Sequence, residues 1–369
     1  MTAALWVASR MKIRKAIPLS LLCIVLLLLL CSCLPRFFLT LPEETVEEPD
    51  IELEAEPVPE PEPVEPSYIT ISHGEGEETS LHQALLLMQE KLLQESGGRL
   101  QLEIYPNAQL GNDQEQLAML VRGGVNLLLM PTASLAELDE GWNIFALPFY
   151  FSNAEEAMEA AQNGAGRELN ARLNDGLPKW ADEPEKLKPE DGMASLGFLY
   201  GWQWAIANNA RPLTTAADFS GLTFAIRPES AKISAALFNA LNAGSREMVF
   251  WQVQQQIADG KVQGEEDNLL HLWQQKSYEQ QQNISILGHR YGIINILAHE
   301  TWLNNLEAAD KELLLTACQQ LQEDQHRLAT LEQEAIILDM EAAGATVFLA
   351  DQELQESFRN QVKGLYSRF

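Results

Sequence analysis

The chain has 369 residues, 46 % of them hydrophobic, and a formal net charge of −28. That length and apolar content suit one two-lobed body or two domains with a real core. The negative balance excludes a nucleic-acid binder of the ordinary kind, which needs a basic footprint.

The N-terminal region is built for export. Met1–Arg10 is dispensable, and Met11-Lys12-Ile13-Arg14-Lys15 makes a better start because it supplies a basic n-region. Ile17–Leu30 is the apolar run, and Leu30-Cys31-Ser32-Cys33 is similar to a bacterial lipobox. In that pattern Cys33 is acylated and becomes the mature N-terminus, so 1–33 reads as a lipoprotein signal peptide. The alternatives are Cys31 as the acylated residue, or an uncleaved anchor, which the shortness of the apolar run disfavours. Residues 34–66 read as an acidic, Pro-rich linker. Pro42–Pro66 holds eleven acids and no base. Such a stretch cannot bury apolar surface, and like charges extend it, so its role is reach. Three of the four cysteines lie in the leader, which leaves Cys318 alone in the body as a buried core thiol.

The folded body begins near Ser67. Tyr68–Ser72 alternates as a strand, Thr79–Glu95 carries Leu81, Leu85, Met88 and Leu92 at helical spacing, and Leu100, Leu102 and Ile104 alternate again. Asp113–Arg122 is a second helix, and Val125–Met130 is a continuous apolar run expected of a strand buried on both faces. This βαβαβ order predicts a parallel sheet. Asn143–Phe151 is an apolar loop around Pro148, Ala154–Leu173 is helical, and Leu177–Asp191 is polar and proline-punctuated. Met193–Tyr200 is a strand.

Arg211–Ser230 is the stretch around which the chain is organised. Thr214–Asp218 offers hydroxyl caps for one helical turn, Gly221 allows a tight entry, and Leu222–Ile226 is an apolar strand. Arg227 then shares a face with Thr223 and Ala225. It is either a surface group at a strand end or a buried cation in need of an anion. Ser230–Asn242 and Phe250–Ala258 are helices. Val262–Glu265, Ile284–Ile286 and Ile293–Leu297 are short strands. Ala309–Ala343 is a long helix with Leu313, Ala317, Leu321, Leu328, Leu331, Ala335 and Leu338 inward. Thr346–Leu349 and Gln352–Tyr366 close the chain.

No catalytic motif emerges. His299-Glu300 lacks the second histidine of a zinc-protease helix, because Leu303 stands in its place. Gly164-x-Gly166 lacks the third glycine of a dinucleotide loop. His73, His82, His289 and His326 show no metal-ligand spacing and read as structural or exposed groups. Nothing in the sequence supports a cofactor, a metal or an enzyme, although a catalytic triad need not be local in sequence.

Several stretches, in order, carry a resemblance. They are Ser96-Gly97-Gly98-Arg99, Tyr105-Pro106-Asn107-Ala108-Gln109-Leu110-Gly111, Leu147-Pro148-Phe149, the Arg211-Pro212 run through Gly221, Gly260–Asp267, Leu287-Gly288-His289 and Trp302. From about Ile69 to the C-terminus the chain resembles the solute-binding subunits of tripartite ATP-independent periplasmic (TRAP) transporters. The resemblance implies an α/β, two-lobed periplasmic solute-binding fold with a ligand cleft between the lobes and a long C-terminal helix. It implies a first lobe at about 67–195, a second at about 205–300, and C-terminal helices spanning both. It implies that a small solute is delivered to the small and large membrane subunits of a permease. A sensory or storage lipoprotein of the same fold without a permease, and a lipoprotein enzyme, are the alternatives.

Two departures from the family pattern shape the expected site. Where the family usually carries an arginine ahead of its N-(S/T)-x-R-P run, this chain has Trp204. A second family arginine falls on Arg227 or, by another count, on Ala225. The asparagine after D-G-x-E becomes Asp267, beside Glu266. Trp202, Trp204, Phe149 and Trp251 suggest an aromatic cleft, with core packing as the alternative for each. The expected ligand is an organic acid or an aromatic or amino-bearing compound, with C4-dicarboxylates and sialic acid binding weakly.

Overall fold

The computed structural model describes residues 66–181, 186–188 and 190–369. The expected signal peptide, the expected lipidation site Cys33 and nearly all of the expected linker lie outside the described residues.

The chain runs β1 (Ser67–His73), α1 (Ser80–Glu95), β2 (Leu100–Tyr105), α2 (Asp113–Val121) and β3 (Leu127–Pro131). The next elements are α3 (Ala154–Gln162), α4 (Ala165–Asn170), β4 (Met193–Asn208), β5 (Thr223–Ile226), α5 (Ala231–Ala240), β6 (Gly244–Glu247) and α6 (Phe250–Ala258). The last are β7 (Gly264–Asn268), α7 (Leu269–Gln274), β8 (Asn283–Ile286), β9 (Tyr291–His299), α8 (Glu300–Asn305), α9 (Ala308–Ala342), β10 (Thr346–Leu349) and α10 (Gln352–Val362).

Two α/β lobes share one 10-stranded sheet of order β2-β1-β3-β9-β4-β7-β5-β6, with β8 on β4 and β10 on β8. β1 is parallel to both β2 and β3, as the βαβαβ pattern predicts. β5 is likewise parallel to β6 and β7. The sheet as a whole is mixed, because β9 runs antiparallel to β3 and to β4, and β4 antiparallel to β7 and β8. These long strands carry the chain from one parallel set to the other.

β4 does not stop at Tyr200 as the periodicity suggested. It continues through Gly201 to Asn208, with a register shift against β9 between Tyr200 and Gln203. The cause is a glycine-on-glycine approach. A Cβ on Gly201 would lie 2.8 Å from the carbonyl carbon of Gly292, and one on Gly292 would lie 3.0 Å from the Trp202 carbonyl oxygen. The shift interrupts the alternation of faces. Trp202 therefore packs with Leu199, Ala205 and Ala207 in the core beneath α9, while Trp204 reaches a cavity. Gln325 of α9 braces the irregular backbone: its Nε2 donates to the Tyr200 carbonyl at 2.6 Å, and its Oε1 accepts from the Tyr200 N–H at 3.1 Å.

Other departures have equally local causes. The helix expected over Ala154–Leu173 breaks after Gln162, where Gly166 sits so close to the Ala161 carbonyl that no Cβ fits. The strand expected over Val262–Glu265 is Gly264–Asn268; all three of its acids are buried, Glu266 and Asp267 in ion pairs and Glu265 on the Gln281 amide. The inward face of α9 runs Leu314, Ala317, Cys318, Leu321, Gln325, Leu328, Glu332, Ile336 and Met340. Leu331 and Leu338, expected inside, are 40 % and 63 % exposed. Two polar residues hold inward positions because both are bonded. Glu332 accepts from the Ser80 hydroxyl at 2.7 Å and from the Trp202 indole at 2.9 Å, while Gln325 holds Tyr200. Buried polar groups are tolerated where their hydrogen bonds are made. Cys318 is a free, buried thiol, as expected.

Replacing Gly201 with Ala should push β4 from β9 at the shift. We expect a loss of about 1–3 kcal/mol, the usual cost of forcing extra volume into a packed interior. Chemical denaturation of Gly201→Ala measures it. A midpoint equal to wild type would show that the two strands can part freely.

Candidate functional site

A cavity of about 140 Å³ opens where the carboxyl ends of the parallel strands converge. Glu75 follows β1, Thr132 and Ser134 follow β3, Glu229 follows β5, Asn268 ends β7 and His271 follows it. The carboxyl ends of strands are where an open α/β sheet leaves its ligand crevice. Trp204 of β4 and Arg290 and Tyr291 at the start of β9 form the remaining wall.

Arg290 is the cation of that wall, and the sequence reading did not single it out. It is 4 % exposed. Its guanidinium carbon lies 4.3 Å from the centroid of the Trp204 ring, so the indole that stands in place of the expected arginine lies under an arginine from the neighbouring strand. Nη2 donates to the Ser234 hydroxyl at 3.1 Å and lies 3.4 Å from Glu266 Oε1. Nε has no hydrogen-bond partner among the described residues. Glu266 is wholly buried behind the cavity, 3.2 Å from His289 Nε2. Burial opposes its charge, but Arg290 and His289 hold its pKa down at about 2.

Arg227 ends β5 as the sequence predicts, but the structure gives it an internal anion. Its Nη2 and Nε lie 2.7 and 2.8 Å from Asp267 Oδ2. Asp267 thus faces a cation of its own chain. Its other oxygen, Oδ1, is 3.2 Å from His271 Nδ1 and accepts from the Asn268 N–H at 2.8 Å. Burial pushes the Asp267 carboxyl up, yet His271 and Arg227 hold it below the usual carboxylate value. The chain of charges continues across the cavity: His271 Nε2 lies 3.7 Å from Glu75 Oε2. In the same loop Glu78 accepts from Gln274 of α7 at 2.9 Å. Burial works against a charged imidazole, but Asp267 and Glu75 raise His271 to about 10.

The other expected residues are dispersed. Trp202 touches the cavity but spends its indole N–H on Glu332. Phe149 lies off the cavity, at φ +55°, stacked on Phe358 with ring centroids 5.2 Å apart. Trp251 lies on α6, 68 % exposed and outside the cavity lining. Among the described residues no cluster of His, Cys, Asp and Glu has a geometry suited to a metal ion.

The model of the bacterial extracellular solute-binding proteins, family 7, matches residues 71–369. The chain belongs to that family. It is 28 % identical over 286 residues to a C4-dicarboxylate-binding periplasmic protein of Rhodobacter capsulatus, covering 77 % of this chain and 80 % of that protein. It is 23 % identical over 290 residues to the 2,3-diketo-L-gulonate-binding periplasmic protein of Escherichia coli (strain K12), covering 78 % and 83 %. Among solved structures, a TRAP periplasmic solute-binding protein from Ochrobactrum anthropi superposes with a TM-score of 0.73 at 21 % identity, over 83 % of this chain and 90 % of that one. The sugar acid binding protein of Advenella mimigardefordensis, in complex with galactonate, gives 0.68 at 20 % identity, over 83 % and 93 %. The family 7 chain is thus a TRAP-type solute-binding protein and not an enzyme.

The His271 bridge carries a pH signature. Its folded value of about 10 lies above the ordinary 6.5. Its contribution to stability is therefore complete below 6.5 and is lost as pH rises toward 10. Melting temperatures measured across that window should fall more steeply for wild type than for His271→Gln. Parallel curves would mean that His271 carries no proton in the native state.

Proposed function

We propose that the chain is the lipid-anchored solute-binding subunit of a TRAP transporter. It captures a small carboxylate-bearing solute at Arg290 and Trp204 and delivers it to the small and large membrane subunits of a permease. In this reading 1–33 is a cleaved lipoprotein signal peptide ending at Cys33, and 34–66 is a tether. Residues 67–369 are the binding body, with its lobes at about 67–195 and 205–300 and the C-terminal helices spanning both. The chain then works in the periplasm, held to a membrane.

The carrying observation is the Arg290 guanidinium: buried, on the cavity wall, and with one N–H unpaired. A buried donor without an acceptor costs free energy that an incoming carboxylate recovers, and arginine can add a second, parallel bond to the same anion. The relatives support a carboxylate: the Rhodobacter capsulatus protein is described as binding C4-dicarboxylates, the Escherichia coli protein 2,3-diketo-L-gulonate. Arg227 is less suited to meet the solute, because Asp267 already occupies it.

Native mass spectrometry of the body, purified with its ligand, should show a bound small carboxylic acid. Calorimetry with that acid should show a loss of about 1.5–3 kcal/mol in Arg290→Lys, the scale of a hydrogen bond to a charged group. Trp204→Ala should cost about 1–3 kcal/mol through the lost apolar contact. Unchanged affinity in Arg290→Lys would remove Arg290 from the site. The anchor has its own test. Cys33→Ala should leave the chain unprocessed or release it to the soluble fraction. A processed, membrane-bound Cys33→Ala protein in which Cys31 carries no lipid would end the lipoprotein reading.

A further inference from the structure

Among the described residues that line the cavity, the cations are Arg290 and His271, and they are not equally available. Arg290 keeps Nε for a solute. His271 lies between two acids, 3.2 Å from Asp267 Oδ1 and 3.7 Å from Glu75 Oε2. Arg227 lies outside the lining, and Asp267, which belongs to it, accepts from Arg227 Nε at 2.8 Å and lies 2.7 Å from Nη2. Asp267 Oδ1 also accepts from the Asn268 N–H at 2.8 Å. Two N–H groups of one arginine, a backbone N–H and an imidazole are donors of the kind with which a protein binds a carboxylate. Here they are gathered at the cavity wall around a carboxylate of the chain itself.

We infer that Asp267 fills a carboxylate subsite from within and so limits the solute to a single carboxylate, the one that Arg290 meets. The inference rests on the carboxylate reading above and narrows it. The second carboxylate of a diacid would enter a cavity where Arg290 is taken by the first, His271 is held between Asp267 and Glu75, and Arg227 stands behind Asp267. It would give up its water with no cation to replace it, and a desolvated charge without a partner is costly. A neutral amide in the same position carries no charge to desolvate. Displacing Asp267 from Arg227 offers no escape, because Asp267 is buried and its own charge would then lose its partner. Asp267 is therefore a specificity-determining residue: it neutralises the arginine that a second carboxylate would need. Removing it should turn a site for one carboxylate into a site for two.

The test uses diacids and their monoamides, which match in shape and differ by one charge: succinate with succinamate, glutarate with glutaramate, adipate with adipamate. Calorimetry is done on protein freed of ligand. Wild type should bind no diacid more tightly than its monoamide. In Asp267→Ala the ratio should move toward the diacid by on the order of 10-fold in at least one pair, the lower end of what a close charge pair contributes across a desolvated contact. Formate, small enough to take the vacated place, should raise the melting temperature of Asp267→Ala and not that of wild type. Adding Arg227→Gln to the variant should abolish both gains. Should Asp267→Ala fail to fold, the isosteric Asp267→Asn is read by the same ratio. A diacid that wild type prefers to its monoamide would overturn the inference. So would a ratio unchanged in the variant, the absence of any diacid binding to it, or a gain that survives Arg227→Gln. The carboxylate reading fails separately, if Arg290→Lys leaves the affinity of diacids and monoamides alike unchanged.

Discussion

The close approach of Gly201 and Gly292 governs this structure. Two antiparallel strands that bind the lobes together can come this near only because neither residue carries a Cβ. The approach shifts the register of β4 on β9, and Gln325 of the long helix takes up the backbone groups that the shift leaves unpaired. Within the shift and just beyond it two tryptophans diverge. Trp202 enters the core and anchors Glu332, which also holds the start of α1 through Ser80. Trp204 meets Arg290 at the cavity. One backbone irregularity thus fastens α9 to the sheet and faces the cleft with an indole.

The buried charges follow from the same placement. β7 carries Glu265, Glu266 and Asp267 in succession, all at most 2 % exposed. Desolvating three neighbouring carboxyl groups is costly, and each is handled differently. Glu266 is held ionised by Arg290 and His289, and Asp267 by His271 and Arg227. Glu265 has the Gln281 amide at 2.6 Å, and burial, with the charge of Asp267, raises it to about 7. What is left over for a ligand is set by what these internal pairs consume. Arg227 is consumed, and Arg290 only in part.

Much of the fold is legible without coordinates because it depends on local pattern. The alternation in Tyr68–Ser72 and the helical spacing in Thr79–Glu95 each report a buried face, and both elements form where the pattern puts them. The turn at Thr215–Asp218 forms as its capping residues require, with Asp218 and Thr215 bonded reciprocally, and Gly221 follows at φ +78°. Pattern reading fails where a polar residue is inside. An apolar criterion puts the inward face of the second half of α9 out of phase, because Gln325 and Glu332 hold inward positions that it assigns to solvent. Glu266 and Asp267 of β7 fall outside the expected strand for the same reason.

The candidate site divides along the same line. Periodicity and the order of elements determined by themselves an α/β chain in which Arg227 ends a strand, and the resemblance to TRAP solute-binding subunits implied the two lobes, the solute and an arginine where Trp204 stands. Those features are properties of neighbouring residues along the chain. Only the tertiary structure decided which charges pair with each other and which face the cavity. Arg227 and Asp267 are forty positions apart and meet because β5 lies beside β7; Trp204 and Arg290 meet because β4 and β9 are antiparallel partners. An ion pair depends on distance in space, and no periodicity in sequence records it.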